Sequence, residues 1–171
     1  AHDNLLDFAK LMMNDYKVGN HHKRLASLLE SLESREKDRI TVSVAPRHGK
    51  SQLVSIFFAA WYLGRNPHHQ VILASHTAEL AVDFGRKVRN LISTEAYKSV
   101  FPHVELATDS KSAGRWNTNH GGMFFAAGVG GALAGRGADL LLIDDPHSEQ
   151  DVLAGNFEVF EKAYQWYVFG A

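Results

Sequence analysis

Residues 44–51 read VAPRHGKS, and the last three match the end of the phosphate-binding loop pattern G-x-x-x-x-G-K-[ST]. Val44 stands where the pattern has its first glycine. Such a loop needs a strand before the turn, backbone N–H groups that face the anion, and a helix N-terminus behind the turn. The flanking sequence predicts a strand over residues 40–45 (ITVSVA) and a helix from Ser51 to about Leu63. We therefore interpret the stretch as a loop that holds nucleotide phosphates rather than as a solvated turn.

The segments after the loop predict an α/β domain. A second apolar strand at residues 71–75 leads into an amphipathic helix that begins after Thr77 and ends near Ile92. Strands and helices that alternate at this spacing are typical of a mostly parallel central sheet flanked by helices. The apolar run at residues 138–143 is typical of a central strand that is buried on both faces.

Three further segments complete the predicted domain. Residues 1–39 carry leucines at helical spacing and predict an N-terminal helical segment. Residues 115–118 and 122–126 flank Asn119-His120-Gly121 and predict a hairpin. Residues 149–169 predict one final helix with a shared aromatic face. The sequence thus indicates a helical segment over residues 1–39 followed by an α/β core over residues 40–171.

Two carboxylates, Asp144 and Asp145, follow the apolar run. A P-loop ATPase needs an acidic residue at the end of a buried strand beside the loop, because that residue helps to hold Mg²⁺. In this interpretation Lys50 reaches the terminal phosphates, while the Ser51 hydroxyl and Asp144 hold Mg²⁺. Asp145 orients and deprotonates the attacking water. A helix-capping turn would use one of the carboxylates but would not explain both.

Composition restricts the other possibilities. The 171 residues carry a formal charge of -1, so a nucleic-acid contact would depend on a local basic patch. The absence of cysteine excludes disulfides and thiolate metal sites. The longest apolar block, residues 56–63, is far shorter than the roughly 20 residues that span a bilayer. We therefore expect no membrane partner.

Three stretches together resemble the ATPase domain of the large terminase subunit of tailed bacteriophages. They are VAPRHGKS at 44–51, VILASHTAELA at 71–81 and GRGADLLLIDDPHS at 135–148. The likeness covers about residues 20–170. The loop of that family commonly lacks the first glycine and carries an arginine, as residues 44–47 do here. The resemblance implies a RecA-like P-loop ATPase fold of the ASCE type.

The resemblance also implies roles for individual residues. Arg47 matches the loop arginine that lies near the phosphates, and Asp145 stands where many members have glutamate. Arg136 is similar to the arginine that such ring motors present to a neighbouring subunit's ATP, and Arg115 is the competing candidate. The residues expected to contact the nucleotide are Pro46, Arg47, His48, Gly49, Lys50, Ser51 and Gln52 at the phosphates, and Asn20, His21 or His22 at the base.

As a member of this family the protein would use ATP and Mg²⁺ to drive double-stranded DNA into a procapsid. Its partners would be the DNA, the portal protein, the small terminase subunit and further copies of itself in a ring, in the cytoplasm of the infected bacterium. The chain would stop before the family's coupling segment and nuclease domain, and by itself would be a monomer with weak turnover. Two alternatives stay open: a helicase or restriction-type DNA translocase, and a nucleotide-binding assembly module without useful turnover.

Overall fold

A four-stranded sheet organises the protein. The computed structural model describes residues 1–110, 112–133 and 136–169, so Gly135 of the stretch at 135–148 lies outside the described residues. The strands, listed in chain order, are β1 Gln70–Ser75, β2 Arg115–Asn117, β3 Met123–Gly128 and β4 Leu140–Ile143. Their order in the sheet is β2-β3-β1-β4. β1 pairs in parallel with β3 and β4, whereas β2 pairs antiparallel with β3. The predicted mostly parallel sheet and the predicted hairpin are confirmed.

Helices occupy the connections between the strands. In chain order they are α1 Leu5–Met12, α2 Asn20–Glu33, a π-helical segment Gln52–Phe58, α3 Ala59–Arg65, α4 Ala78–Ile92, α5 Glu95–Val100, α6 Glu149–Leu153 and α7 Phe157–Phe169. The Thr77 side chain caps α4 by accepting a hydrogen bond from the Leu80 N–H at 3.2 Å, as the sequence predicts. Among the described residues, no helix is both long enough and apolar enough to cross a membrane.

The sheet is covered on both faces. Alternation along β1 places Val71 and Leu73 in the larger core with α1 to α5, and Ile72 in a smaller cluster on the opposite face. Trp166 of α7 packs against this second cluster, and its indole N–H donates to the Gly131 carbonyl at 2.8 Å. The N-terminal helices therefore share the larger core with the sheet, and α7 covers part of the other face.

A stacked aromatic pair anchors the larger core. The rings of Trp116 and Phe124 lie parallel with centroids 5.0 Å apart, and both side chains are fully buried. The Trp116 indole N–H donates to the Gly85 carbonyl of α4 at 3.1 Å. A Cβ atom on Gly85 would come within 2.5 Å of the Ala113 carbonyl oxygen, so this helix can lie against the hairpin only with glycine there.

The structure corrects two strand predictions. Residues 40–45 form no strand, although their exposure alternates between exposed and half-buried as in an extended segment over a core. β4 lies at the edge of the sheet rather than in its centre, so Ile143 is 36% exposed. An apolar run of four residues fits an edge strand with one covered face as well as it fits a central strand.

The predicted final helix is also wrong in one respect, because it is two helices. Gly155 adopts φ of +64° between α6 and α7, a backbone conformation that interrupts a right-handed helix. Part of the predicted aromatic face persists in α7, where Phe160, Tyr164 and Tyr167 line one cavity of about 200 Å³.

Candidate functional site

Lys50 joins the loop to the end of β4. Its Nζ atom lies 2.5 Å from Asp145 Oδ1 and 3.2 Å from Asp144 Oδ1, although Lys50 and Asp145 are 95 residues apart in sequence. Burial lowers the pKa of Lys50, but the hydrogen bond to Asp145 and the charge of Asp144 outweigh it and raise the pKa above its ordinary value. The amine is therefore held as a cation between two carboxylates.

Ser55, a residue of the π-helical segment, orients the Asp144 side chain. The Ser55 hydroxyl donates to Asp144 Oδ2 at 2.7 Å, and both side chains are buried. Since Lys50 contacts the other carboxylate oxygen, both oxygens of Asp144 have partners. A buried carboxylate is stable only when it is paired and hydrogen-bonded, so this arrangement fixes its position.

We predict that Ser55→Ala lowers the free energy of unfolding by about 1–3 kcal/mol, because the buried Asp144 oxygen loses its donor. Urea unfolding followed by circular dichroism measures this change. Ser43→Ala is the matched control, since Ser43 is exposed, and it should leave the unfolding midpoint unchanged. Equal midpoints for wild type and Ser55→Ala would contradict the structural role given to this hydroxyl.

The loop and the end of β4 both carry backbone that non-glycine residues seldom adopt. Arg47 has φ of +63° and Asp145 has φ of +46°, and Gly49 has φ of +75°. The Asp145 carbonyl accepts hydrogen bonds from the backbone N–H and from the ring Nδ1 of His76, each at 3.1 Å. Strained residues of this kind cluster at binding and catalytic sites, which supports a functional interpretation of these two segments.

The structure places the predicted phosphate-contacting residues in one continuous turn. Pro46, Arg47 and His48 are exposed, and Gly49 and Lys50 are half-buried where the chain enters the helix. Ser51 and Gln52 follow in the first helical turn, also half-buried. The Gly49 carbonyl accepts from the Leu53 N–H at 3.1 Å. The turn therefore leads directly into a helix N-terminus, the arrangement that favours bound anions.

The start of α2 contacts this turn. The His21 ring Nε2 donates to the His48 carbonyl at 3.2 Å, and His22 is buried, whereas Asn20 and His21 are exposed. A Cβ atom on Gly49 would lie 2.9 Å from His22 Nε2. The structure thus brings together the loop and the predicted base-contacting segment. Whether that segment contacts a base stays a prediction.

The two arginine candidates lie around a different strand. The Arg136 guanidinium lies over the Phe125 ring of β3, 4.1 Å from its centroid, and Arg115 of β2 is the register partner of Phe125. β2 is three strands away from β4, which corresponds to about 14 Å across the sheet. Arg115 therefore stands well away from the acids of its own chain.

The oxygen donors at the site match the ligands that Mg²⁺ prefers. Mg²⁺ in phosphate-binding sites is held by one or two carboxylates together with substrate phosphates. Asp144 is fixed and Asp145 is exposed beside it, and the Lys50 cation contacts both carboxylates. In the part of the chain that the structure describes, no group of three or more His, Cys, Asp or Glu side chains is placed to hold a metal by itself.

Two contributing residues could not be identified from the sequence. Ser55 lies within an apolar run, where a serine is usually a neutral core residue, and His76 follows β1 without a motif of its own. The sequence predicts His22 only as a candidate contact to the base. A polar residue at the centre of an apolar helix would have been the available signal for Ser55.

The chain matches a known protein family. The family model described as the N-terminal region of the large terminase subunit of the T4-like-virus type matches residues 42–154. This range contains the loop, β1 to β4 and both acids. No curated protein and no solved structure matches the chain significantly.

Proposed function

The chain belongs to the family of T4-like-virus-type large terminase subunits, and from this premise we propose that it hydrolyses ATP as the motor domain that drives double-stranded DNA into a procapsid. Membership of the family indicates a role in phage DNA packaging. The proposal adds the reaction, the cofactors and the residues, together with a RecA-like arrangement of the P-loop fold.

One observation carries the proposal: Lys50 of the loop contacts both carboxylates at the end of β4. In a purely structural role the single cation would offset only one of the two negative charges. In a phosphoryl-transfer site the same groups separate when a nucleotide binds, because the lysine then pairs with phosphate oxygens and the acids face the metal and the water. Lys50 and the two acids lie at the carboxyl edge of a parallel sheet, beside a helix N-terminus. This position supports a phosphoryl-transfer site over a purely structural ion pair.

The residues divide the work of ATP hydrolysis as follows. Lys50, Arg47 and the loop N–H groups bind the phosphates and stabilise the charge of the transition state. Asp145 orients the attacking water and takes its proton as the bond between the β- and γ-phosphates breaks, which leaves ADP and phosphate. Bound Mg²⁺ would supply further charge neutralisation at the β- and γ-phosphates, and Ser51 and Asp144 would hold it.

A neighbouring subunit would supply the remaining positive charge. The Arg136 guanidinium lies against Phe125 of β3, and Arg115 on β2 is three strands from the acids after β4, as an arginine that acts in trans can be. Such an arginine contributes about 10³–10⁵-fold in rate. We propose Arg136 for this role, with Arg115 as the alternative.

The wider assembly follows from the same proposal. Residues 1–39 would be the helical segment of the ATPase domain and residues 40–171 its core. The partners would be double-stranded DNA, the portal protein, the small terminase subunit and further copies in a ring, in the host cytoplasm.

Mixing two variants with impaired turnover tests the proposed ATPase function. The Arg136→Ala variant has an intact phosphate loop but offers no arginine to the site of a neighbouring subunit. The Lys50→Ala variant offers that arginine but lacks the lysine in its own loop. We expect phosphate release by each variant alone to be below that of wild type at high protein concentration, and the mixture to recover part of it. Arg115→Ala mixed in the same way is the control for the alternative. Wild-type turnover per chain that is strong at all concentrations and unaffected by either arginine substitution would contradict a subunit-shared site.

A further inference from the structure

His22 lies against the phosphate loop without being part of it. It is the third residue of α2 and is only 8% exposed. Its ring packs between the rings of His21, 3.9 Å away, and Tyr16, 5.5 Å away. On the loop side, its Nε2 atom faces Gly49, where a Cβ atom would come within 2.9 Å. The loop can approach this histidine so closely because residue 49 has no side chain.

The hydrogen-bonding state of the His22 ring follows from its other nitrogen. The Gly19 backbone N–H donates to Nδ1 at 3.0 Å, so Nδ1 is an acceptor and carries no proton. A neutral imidazole with an accepting Nδ1 carries its hydrogen on Nε2. Burial lowers the pKa of His22 and the charge of the His21 ring acts in the same direction, while the His48 backbone oxygen acts against them; the net lowering agrees with a neutral ring. Nε2 therefore presents an N–H donor to the loop.

Among the described residues this buried donor makes no hydrogen bond of normal geometry, although the His48 backbone lies near enough to affect the His22 pKa. A buried donor without an acceptor costs about 1–3 kcal/mol, so an arrangement that supplies an acceptor is favoured. The neighbouring His21 already donates from its Nε2 to the His48 carbonyl at 3.2 Å. Two adjacent histidines thus direct donors at consecutive loop residues, 48 and 49.

We propose that His21 and His22, here termed the histidine brace, position the phosphate loop, and that the His22 Nε2–H gains a backbone oxygen of the loop as its acceptor when the loop closes on a triphosphate. The proposal rests on the nucleotide site proposed above and assigns the brace to the loop rather than to the base. The observations that carry it are the hydrogen bond from His21 to the His48 carbonyl and the position of the buried His22 Nε2 beside Gly49.

Isosteric variants separate the two nitrogens of His22. In His22→Asn the amide oxygen replaces Nδ1 as acceptor for the Gly19 N–H, but no donor reaches Gly49. In His22→Gln the amide nitrogen lies as many bonds from Cβ as Nε2 does and restores the donor. His68→Asn is the matched control, because His68 is an exposed histidine whose ring contact is with His69. Thermal melting by circular dichroism checks that each variant is folded.

The measurement is equilibrium binding of two ligands in the presence of Mg²⁺: ATP, and inorganic triphosphate, which has no base. We expect His22→Asn to weaken both ligands by about tenfold, equivalent to about 1.4 kcal/mol. His22→Gln should recover most of the loss, and His68→Asn should show none. His21→Phe, at an exposed position, should weaken both ligands by about threefold, and it tests the brace even if His22→Asn does not fold.

A loss confined to ATP, with triphosphate unaffected, would overturn the brace and assign His22 to the base. Unchanged affinities in both His22→Asn and His21→Phe would also overturn it. The experiment measures binding rather than turnover. A chain that binds both ligands but releases no phosphate would therefore contradict the proposed ATPase activity, but its affinities would still test the role of His22. A wild-type chain that binds neither ligand would overturn the brace together with the phosphate loop.

Discussion

Lys50→Ala is expected to reduce phosphate release from ATP by about 10²–10³-fold, which is the loss seen when one donor to transition-state charge is removed. The lysine of the loop contacts both acids at the end of β4. Its removal also leaves the buried Asp144 without its cationic partner, so we expect some loss of stability, and thermal melting by circular dichroism checks that the variant is folded under the assay conditions. Single-turnover hydrolysis of ATP labelled at the γ-phosphate is sensitive enough for a weakly active chain.

Lys98→Ala is the matched control for this substitution. Lys98 is a partly exposed lysine of α5 that pairs with Glu95 at 3.2 Å, so its removal also breaks an ion pair but far from the loop. Its turnover should equal that of wild type. If Lys50→Ala and Lys98→Ala release phosphate at the same rate, the loop does not carry the chemistry.

Asp145→Asn is expected to lower turnover by about 10²–10⁴-fold while ATP still binds, because the amide keeps the shape of the carboxylate but cannot take a proton from water. Asp145 suits this role since its side chain is more than half exposed, unlike that of Asp144, and can meet a water molecule. Binding affinity and single-turnover rate, measured on the same preparation, separate the two effects.

Asp83→Asn is the control for the loss of a surface carboxylate. Asp83 forms ion pairs with Arg86 and Lys87 on α4, and these basic side chains lower its pKa. Its substitution should alter neither binding nor turnover. A fall in ATP affinity in Asp145→Asn that accounts for the whole fall in turnover would indicate that Asp145 only pairs with Lys50 and is not the base.

The convergence of the loop and the acids could be predicted from the sequence. We expected the loop before Lys50 and the acids after β4 to meet because strands that run parallel end at the same edge of a sheet. They do meet, although residues 40–45 form no strand. The pattern of residues 40–45 could not show that they remain outside the sheet, because alternating exposure is common to a strand and to an extended segment. The position of β4 at the edge of the sheet could not be predicted for a similar reason. The composition of Leu140–Ile143 fits an edge strand as well as a central strand.

The contacts that orient the site residues were harder to predict from the sequence. The bond from Ser55 to Asp144 joins a helix to a strand end, and no local pattern encodes that pairing. The role of His22 depends on which ring nitrogen faces Gly49, which is a matter of tertiary geometry. The break at Gly155 is different, because a glycine followed by asparagine within a helical pattern is a recognised stop signal.

The most direct test of the central claim, that residues 44–51 and the two acids form one Mg²⁺-dependent ATP site, is a calorimetric titration of the chain with ATP. The account predicts saturable binding of ATP in Mg²⁺, weakened by about tenfold or more when the metal is removed with EDTA or when Lys50 is replaced by alanine. No saturable binding to the wild-type chain, or the same affinity in wild type, in EDTA and in Lys50→Ala, would contradict it.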